Sequence, residues 1–251
     1  MFCVQPIGGL PEILAGDDLP VLLAERLAAG EPDIAAGDIL VVTQKIVSKA
    51  EGRSVALASI EVSDEARKLA ELTRKEPAFV ELVLRESSNV VRAVPNVLIT
   101  RHRLGHVMAN AGIDASNLGS KSQENVLLLP ENPDKSAARI AEACHARTGI
   151  RPGVVISDSF GRPWRVGTTN VAIGVAGPPA VIDQRGQPDR DERIMQVTQI
   201  AFADAVAGAA GLAMGEGAEG LPACVVRGLA WQQSGQTSGD LLRPEGEDLF
   251  R

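Results

Sequence analysis

Three short segments of the sequence place an acidic residue among small, turn-forming neighbours. Asp114 lies in NAGIDASN, Asp158 in SDSFGRPWR and Glu216 in MGEGAEG. Mg²⁺ and Mn²⁺ take oxygen ligands, and a hydroxyl such as that of Ser159, next to Asp158, can join carboxylates from separate loops. A glycine-rich loop presents backbone N–H groups to phosphate oxygens without obstruction by side chains. Together the three segments predict a site for a divalent metal ion and a nucleotide.

Each of these carboxylates also has a purely structural interpretation. Asp114 fits an Asx turn, Asp158 fits the cap of a turn or helix, and Glu216 fits a solvated loop. The segment MGEGAEG lacks the GK[ST] ending of a Walker A loop, and no GxGxxG follows a predicted strand. With three histidines in the chain, a Ser-His-Asp or Cys-His nucleophile has little to build on. Metal-assisted phosphate chemistry is therefore favoured over nucleophilic catalysis by the protein.

A few basic residues lie where they could meet a phosphate group. Lys49 follows a predicted strand in the segment VSKAEGR, and Arg162 and Arg165 follow Asp158. A lone surface lysine is usually just solvated, but cations beside acidic metal ligands can stabilise the charge on a transferred phosphoryl group.

Composition narrows the classes of partner. The chain has 251 residues, with 25 Lys and Arg against 32 Asp and Glu, which gives a net charge of −7. An acidic chain without a basic block predicts no nucleic-acid or membrane partner, and five Phe, two Trp and no Tyr offer no base-stacking platform. Three widely spaced cysteines and an N-terminus without a signal-peptide pattern predict a cytoplasmic protein.

Helix and strand signals are mixed and do not alternate regularly, which predicts an α+β fold with mixed or antiparallel sheets and packed helices. Helices are predicted from Leu19 to Ala28, from Ser63, from Pro77 towards Arg85, from Asp134 to Arg147 and from Arg190 to Met214. Strands are predicted at Ile39 to Thr43, Val97 to Thr100, His106 to Ala109, Gly153 to Asp158, and in NVLLLP, NVAIGVAG and PACVVRGL. No internal repeat or long linker interrupts them, so we predict one domain over residues 1–251, although two subdomains remain possible.

Several of these motifs occur together in one known family. The segments PIGGLPEI, GDDL, VSKAEGR, NAGIDASN, SDSFGRPWR with NVAIG, and MGEG followed by PACVVRGL run in order through nearly the whole chain. In this order they resemble the coenzyme F420-0:L-glutamate ligase family. The combination of VSKAEGR with NAGIDASN is highly specific to that family. Some bacterial relatives carry a C-terminal nitroreductase-like domain, which this chain is predicted to lack.

The resemblance implies a GTP-dependent amide ligase that acts in coenzyme F420 biosynthesis. It implies that F420-0, and then F420-1, receives L-glutamate through an acyl-phosphate intermediate. It also implies two Mn²⁺ or Mg²⁺ ions per site, a K⁺ ion and an intertwined homodimer with a fold particular to the family.

The resemblance also assigns roles to residues. It implies that Asp114 and Asp158 are metal ligands, and that Ser159 and Glu216 serve a second metal ion. The implied catalytic residues are Asp114, Asp158 and Glu216. Ser159 replaces the threonine that is more usual after this aspartate and retains its hydroxyl group. The implied nucleotide contacts are Gly8, Gly9, Leu10, Pro11, Thr43, Gln44, Lys49, Asn117, Met214, Gly215, Glu216, Gly217, Ala218, Glu219, Gly220 and Leu221.

Two alternatives remain open at this stage. One is a nucleotide-dependent carboxylate–amine ligase of the same fold with a different substrate. The other is a non-catalytic nucleotide-binding protein, although a degenerate member would be expected to have lost Asp114, Asp158 or Glu216, and the sequence retains all three.

Overall fold

The computed structural model describes residues 1–114 and 125–248. Within these ranges the chain combines six α-helices with twelve β-strands in parallel and antiparallel pairs, which confirms the predicted α+β class with mixed sheets. The helices are α1 (Leu19–Ala28), α2 (Gln44–Ala50), α3 (Asp64–Thr73), α4 (Pro77–Arg85), α5 (Pro133–Thr148) and α6 (Phe202–Met214). The strands are β1 (Cys3–Pro6), β2 (Ile39–Thr43), β3 (Ser54–Ala56), β4 (Ser87–Val94), β5 (Val97–His102), β6 (Val107–Ala109), β7 (Asn125–Leu127), β8 (Gly153–Arg162), β9 (Arg165–Ala176), β10 (Val181–Asp183), β11 (Gln199–Ala201) and β12 (Ala223–Arg227).

A five-stranded sheet in the order β1-β12-β2-β8-β9 forms the centre of the molecule. Strands β2 and β8 are parallel, and the other neighbouring pairs are antiparallel. Leu40 and Val42 of β2 pack in a core with α1 and α5, whereas Ile39 and Val41 pack in a second core with α6. Because both faces of the sheet are covered, this strand is apolar at successive positions instead of alternating.

Capping residues set the predicted helix ends. The Asp18 side chain accepts a hydrogen bond from the Val21 N–H at the start of α1, and Ser63 accepts one from the Ala66 N–H at the start of α3. Helix α5 ends at Gly149, which takes the left-handed conformation with φ 78°. These caps explain why the ends of the helices follow the sequence signals closely.

A third apolar cluster joins α3 and α4 to the small sheet β4-β5-β6. The predicted hairpin is confirmed, because β5 and β6 pair antiparallel with Ile99 opposite Ala109. Strands β3 and β7 form a separate two-stranded sheet.

The predicted long helix from Arg190 to Met214 is wrong in its first half. Helix α6 begins at Phe202, and the preceding segment folds back on β10 as a hairpin arm that contains β11. The Gln184 N–H donates to the Thr198 carbonyl and the Met195 N–H donates to the Gln187 carbonyl, so backbone groups that a helix would use are paired across the hairpin. No helix of residues 1–114 and 125–248 is both long enough and apolar enough to cross a bilayer.

The strand predicted to end at Asp158 instead continues to Arg162, so Asp158 lies within β8 and not in a turn. It pairs with β9 throughout this extension, and the register shifts between Ile156 and Ser157. A bulge of this kind bends the strand pair locally and redirects side chains, and bulges are common beside active sites.

Candidate active site

A cleft of about 470 Å³ opens beside the ends of the parallel strands β2 and β8. Thr43 and Ser157 are register partners in that strand pair, and both line the cleft. In sheets with parallel strands, ligands commonly bind beyond the carboxyl ends of neighbouring strands, because loops from several elements converge there. The sheet topology therefore places this cleft where a binding site is expected.

Most of the residues singled out from the sequence line this one cleft. The three carboxylates come from different parts of the chain: Asp114 precedes the undescribed residues 115–124, Asp158 lies in β8, and Glu216 follows α6. The other sequence-predicted residues in the lining are Leu10, Pro11, Thr43, Gln44, Lys49, Ser159, Met214, Gly215, Gly217, Ala218, Glu219, Gly220 and Leu221.

Asp158 is the most perturbed acid of the cleft. Burial, together with the charges of Asp114 and Glu216, raises the pKa of its carboxyl group to about 7, against the lowering effects of the Ser159 N–H and Lys45. The Ser159 N–H donates to Asp158 Oδ1 at 2.9 Å. Asp158 is therefore held among acidic neighbours in a poorly hydrated position, which a bound cation would relieve.

Asp114 is fixed by its backbone as well as by its side chain. Its N–H donates to the Leu127 carbonyl at 3.0 Å, and the Leu127 N–H donates back at 2.7 Å. Its Oδ2 lies 2.7 Å from Nζ of Lys45 on α2. The carboxylate is thus anchored next to a cation.

Helix α2, which begins directly after β2, was not predicted from the sequence. It places Lys45 and Lys49 four residues apart, a spacing that puts two side chains on the same face of a helix. Both line the cleft, and Lys49 Nζ lies 3.9 Å from Glu12 Oε1. Two cations therefore face the same space as the three carboxylates.

The glycine-rich loop after α6 forms another wall of the cleft. Gly215 caps the helix with φ 76°, and Gly220 has φ 67°, which are conformations that favour glycine. The Gly217 N–H donates to Glu219 Oε2 at 2.8 Å. This backbone N–H already binds a carboxylate oxygen and has the same capacity for a phosphate oxygen.

Some predicted residues lie outside the lining. Gly8 and Gly9 precede Leu10, and the Gly8 carbonyl accepts a hydrogen bond from Arg26 Nη2 at 2.8 Å. Arg162 and Arg165 are exposed near the β8–β9 turn and do not line the cleft. Asn117 lies outside the residues that the structure describes.

Four polar residues of the cleft were missed by the sequence analysis: Glu12, Lys45, Ser157 and Asn170. Ser157 is fully buried, and its hydroxyl has no hydrogen-bond partner among the described residues. Asn170 donates from Nδ2 to Glu216 Oε1 at 2.6 Å. The spacing of Lys45 and Lys49 was a usable signal, whereas the pairing of Asn170 with Glu216 depends on tertiary structure.

The donor set fits a cation that is shared with a phosphate ligand. No three His, Cys, Asp or Glu side chains of the described residues are gathered as a complete metal centre. Mg²⁺ is usually bound through one or two carboxylates, with substrate phosphates and waters completing its shell. The acidic surroundings of Asp158, the adjacent hydroxyl of Ser159 and the unsatisfied hydroxyl of Ser157 match that pattern.

Comparison with known proteins gives a consistent result. The family model described as F420-0:Gamma-glutamyl ligase matches residues 9–228. The chain is 41% identical over 247 residues to the coenzyme F420:L-glutamate ligase of Methanothermobacter thermautotrophicus, covering 98% of this chain and 97% of the relative. It is 39% identical over 252 residues to the protein of the same name from Methanopyrus kandleri, covering 99% and 97%. It is also 44% identical over 227 residues to that of Halobacterium salinarum, covering 88% and 85%.

Proposed function

The chain belongs to the F420-0:gamma-glutamyl ligase family and is a ligase, and we propose that it adds L-glutamate to coenzyme F420-0, and then to F420-1, through γ-linked amide bonds. The names of its relatives, coenzyme F420:L-glutamate ligase, support coenzyme F420 and L-glutamate as substrates. The structural observation that carries the proposal is the convergence of Asp114, Asp158 and Glu216 with two lysines in one cleft. Such a site suits the transfer of a phosphoryl group.

GTP is the proposed source of that phosphoryl group. Its phosphates would lie against the loop of residues 214–221, which lines the cleft, and near Lys45 and Lys49. Thr43 and Gln44 also line the cleft, at the point where β2 passes into α2. Leu10 and Pro11 line the same space, with Gly8, Gly9 and Asn117 proposed as further nucleotide contacts.

Two divalent ions, Mn²⁺ or Mg²⁺, are proposed to bind in the cleft. Asp114 and Asp158 would hold the first ion, and Ser159 and Glu216 would hold the second. When bound, such ions neutralise the charge of the triphosphate and orient its terminal phosphoryl group. Asp158 supplies a carboxylate whose burial makes its charged form costly without a cation. Lys45, beside Asp114, adds a positive charge that stabilises developing charge on the phosphoryl oxygens. K⁺ is proposed as an additional activating ion, without assigned ligands.

The proposed reaction has two steps. An oxygen of the terminal carboxylate of F420-0 attacks the γ-phosphorus of GTP, the bond to the β-phosphate oxygen breaks, and an acyl phosphate and GDP result. The amine of L-glutamate, after losing a proton, then attacks the acyl carbon and expels inorganic phosphate. Neither step requires a nucleophile from the protein, which suits a cleft lined by carboxylates, lysines and backbone N–H groups.

We also propose that the protein is a homodimer. Large apolar side chains stand exposed on three neighbouring elements of the fold: Val166 of β9 is 101% exposed, Val197 of the hairpin arm 83% and Leu212 of α6 91%. Covering apolar surface with a second copy is favourable by about 25 cal/mol per Å². Exposed apolar side chains on two hairpins and a helix support the proposal of an intertwined dimer.

The acyl-phosphate step has a direct test. F420-0 labelled with ¹⁸O in its terminal carboxylate is incubated with the protein, GTP, Mn²⁺, K⁺ and L-glutamate. One labelled oxygen is expected in the released phosphate, because the carboxylate oxygen stays bonded to phosphorus when the amine attacks carbon. Amide formation with unlabelled phosphate would rule out this intermediate and leave the family assignment unchanged.

A further inference from the structure

Asn170 lies between two residues that were assigned to the second metal ion. On β9 it is the direct register partner of Ser159 on β8. Its Nδ2 also donates to Glu216 Oε1 at 2.6 Å. Side chains of directly opposed residues on one sheet have Cβ atoms only about 4.5–5.5 Å apart. The Asn170 amide thus connects the loop carboxylate to the strand that carries Ser159.

Glu216 needs such a connection because its own segment does not fix it. The residue follows the C-cap of α6 in a glycine-rich loop, and it is exposed. Asn170, by contrast, lies in the interior of a paired strand and is 9% exposed. The Asn170 side chain, fixed in the sheet, therefore restrains the Glu216 carboxylate, which lies on a loop.

Helix α6 is shaped to accommodate this amide. A Cβ atom at Gly211 would lie 2.3 Å from Asn170 Nδ2 and 2.8 Å from its Cγ, so any larger residue would displace the side chain. Glycine inside a helix costs about 1 kcal/mol relative to alanine. The room that Gly211 provides for Asn170 gives a physical reason for its presence.

We infer that Asn170 is a positioning residue that holds Glu216 beside Ser159, so that the two can bind the second divalent ion together. This inference rests on the proposed function, because the ion itself is part of that proposal. Residues that orient a metal ligand in this way change metal affinity by about 10- to 100-fold when they are removed. The same effect is expected here for the second ion, since the Asn170 amide donates to Glu216, which is a proposed ligand of that ion.

The test is a Mn²⁺ titration in the presence of a non-hydrolysable GTP analogue, with unbound Mn²⁺ measured from its aqueous EPR signal. The wild-type protein is expected to bind two ions. Asn170→Ala is expected to keep the first affinity and to weaken the second by about 10- to 100-fold. Gly211→Ala, which retains the amide but displaces it, is expected to weaken the same ion.

Thr168→Ala is the matched control, since this exposed residue lies on the same strand, two positions from Asn170. Circular dichroism establishes whether each variant is folded. If Asn170→Ala does not fold, the affinity of Gly211→Ala for the second ion tests the inference instead. If the affinity of the folded variants for the second Mn²⁺ ion stays within about twofold of the wild-type value, the role of Asn170 is overturned and the two-metal proposal is left standing. A wild-type protein that binds fewer than two Mn²⁺ ions would overturn the two-metal proposal together with it.

Discussion

Lys45 Nζ lies 2.7 Å from Asp114 Oδ2 in the cleft. This contact joins the first turn of α2 to the residue that precedes segment 115–124. The pair brings a cation into a site with three carboxylates. Lys45 is therefore a candidate for stabilising both the site and the phosphoryl group transferred in it.

Replacing this lysine tests that role. Lys45→Ala is expected to lower kcat/KM for ligation by at least about tenfold, a loss of about 1.4 kcal/mol of transition-state stabilisation. Steady-state kinetics with varied GTP provide the measurement. Lys135→Ala, at an exposed lysine of α5, is the control and is expected to leave the kinetics unchanged. Equal kcat/KM values for the two variants would show that Lys45 does not contribute to catalysis.

Asp158→Asn is expected to abolish ligation and leave the fold intact. The carboxylate lies partly buried among acidic neighbours, so its removal deletes a proposed metal ligand and also a source of repulsion. The metal-free variant is therefore expected to unfold at a temperature equal to or above that of the wild type. Product assays and thermal unfolding monitored by circular dichroism supply both readings, and full turnover with Mg²⁺ would refute the ligand assignment.

Much of the frame around this site could be predicted from the sequence. The bounds of β2 and α1 follow from a continuous apolar run and from a capping aspartate, Asp18, which are local signals. The three carboxylates were found because each lies in an unusual glycine- or asparagine-rich segment. Their convergence, however, was supported by the family resemblance, since no local pattern states which loops meet.

The features that were predicted wrongly or missed have physical explanations. Ile194, Val197 and Ile200 repeat at a helix-like spacing of three, but their segment pairs across a hairpin, and tertiary pairing overrides the local pattern. Helix α2 is seven residues long and starts without a side-chain cap, so the four-residue spacing of Lys45 and Lys49 was the main sequence signal for it. Asn170 was missed because its role depends on β9 register and on Glu216, 46 positions away.

A cluster outside the cleft predicts acid sensitivity. Burial acts to raise the pKa of Glu86, but the contact with His102 Nε2 at 3.4 Å and the nearby charges of Arg53 and Arg103 together lower it to about 2. Because the pKa in the folded protein lies below the ordinary glutamate value of 4.5, the ionised group stabilises the fold above about pH 4.5. That stabilisation is lost as the pH falls from there towards 2.

Glu86→Gln is accordingly expected to reduce the free energy of unfolding by about 2 kcal/mol at pH 7. The difference from the wild type is expected to shrink steadily as the pH is lowered below 4.5. Urea unfolding at pH 7, 5 and 3.5 measures this, with Glu142→Gln as a control at an exposed ion pair with Arg151. If the difference in the free energy of unfolding between variant and wild type stays constant with pH, the lowered pKa of Glu86 is contradicted.

The proposed dimer makes a prediction about mass. The double variant Val166→Asp/Leu212→Asp places charges on two exposed apolar positions and is expected to be monomeric. Light scattering at micromolar concentration should give a dimer mass for the wild type. Leu72→Asp, at a half-exposed position on α3, is expected to remain dimeric. A wild-type protein with the mass of a monomer would refute the dimer.

The central claim is the addition of glutamate to F420-0 at the expense of GTP. Its most direct test is mass spectrometry of F420-0 incubated with the protein, L-glutamate, GTP, Mn²⁺ and K⁺, with a parallel reaction that contains ATP. A product heavier by one or more glutamate residues that forms with GTP, and not with ATP, is the predicted result. Unchanged F420-0 under conditions in which the protein binds GTP would contradict the claim and indicate a different carboxylate substrate for the same site.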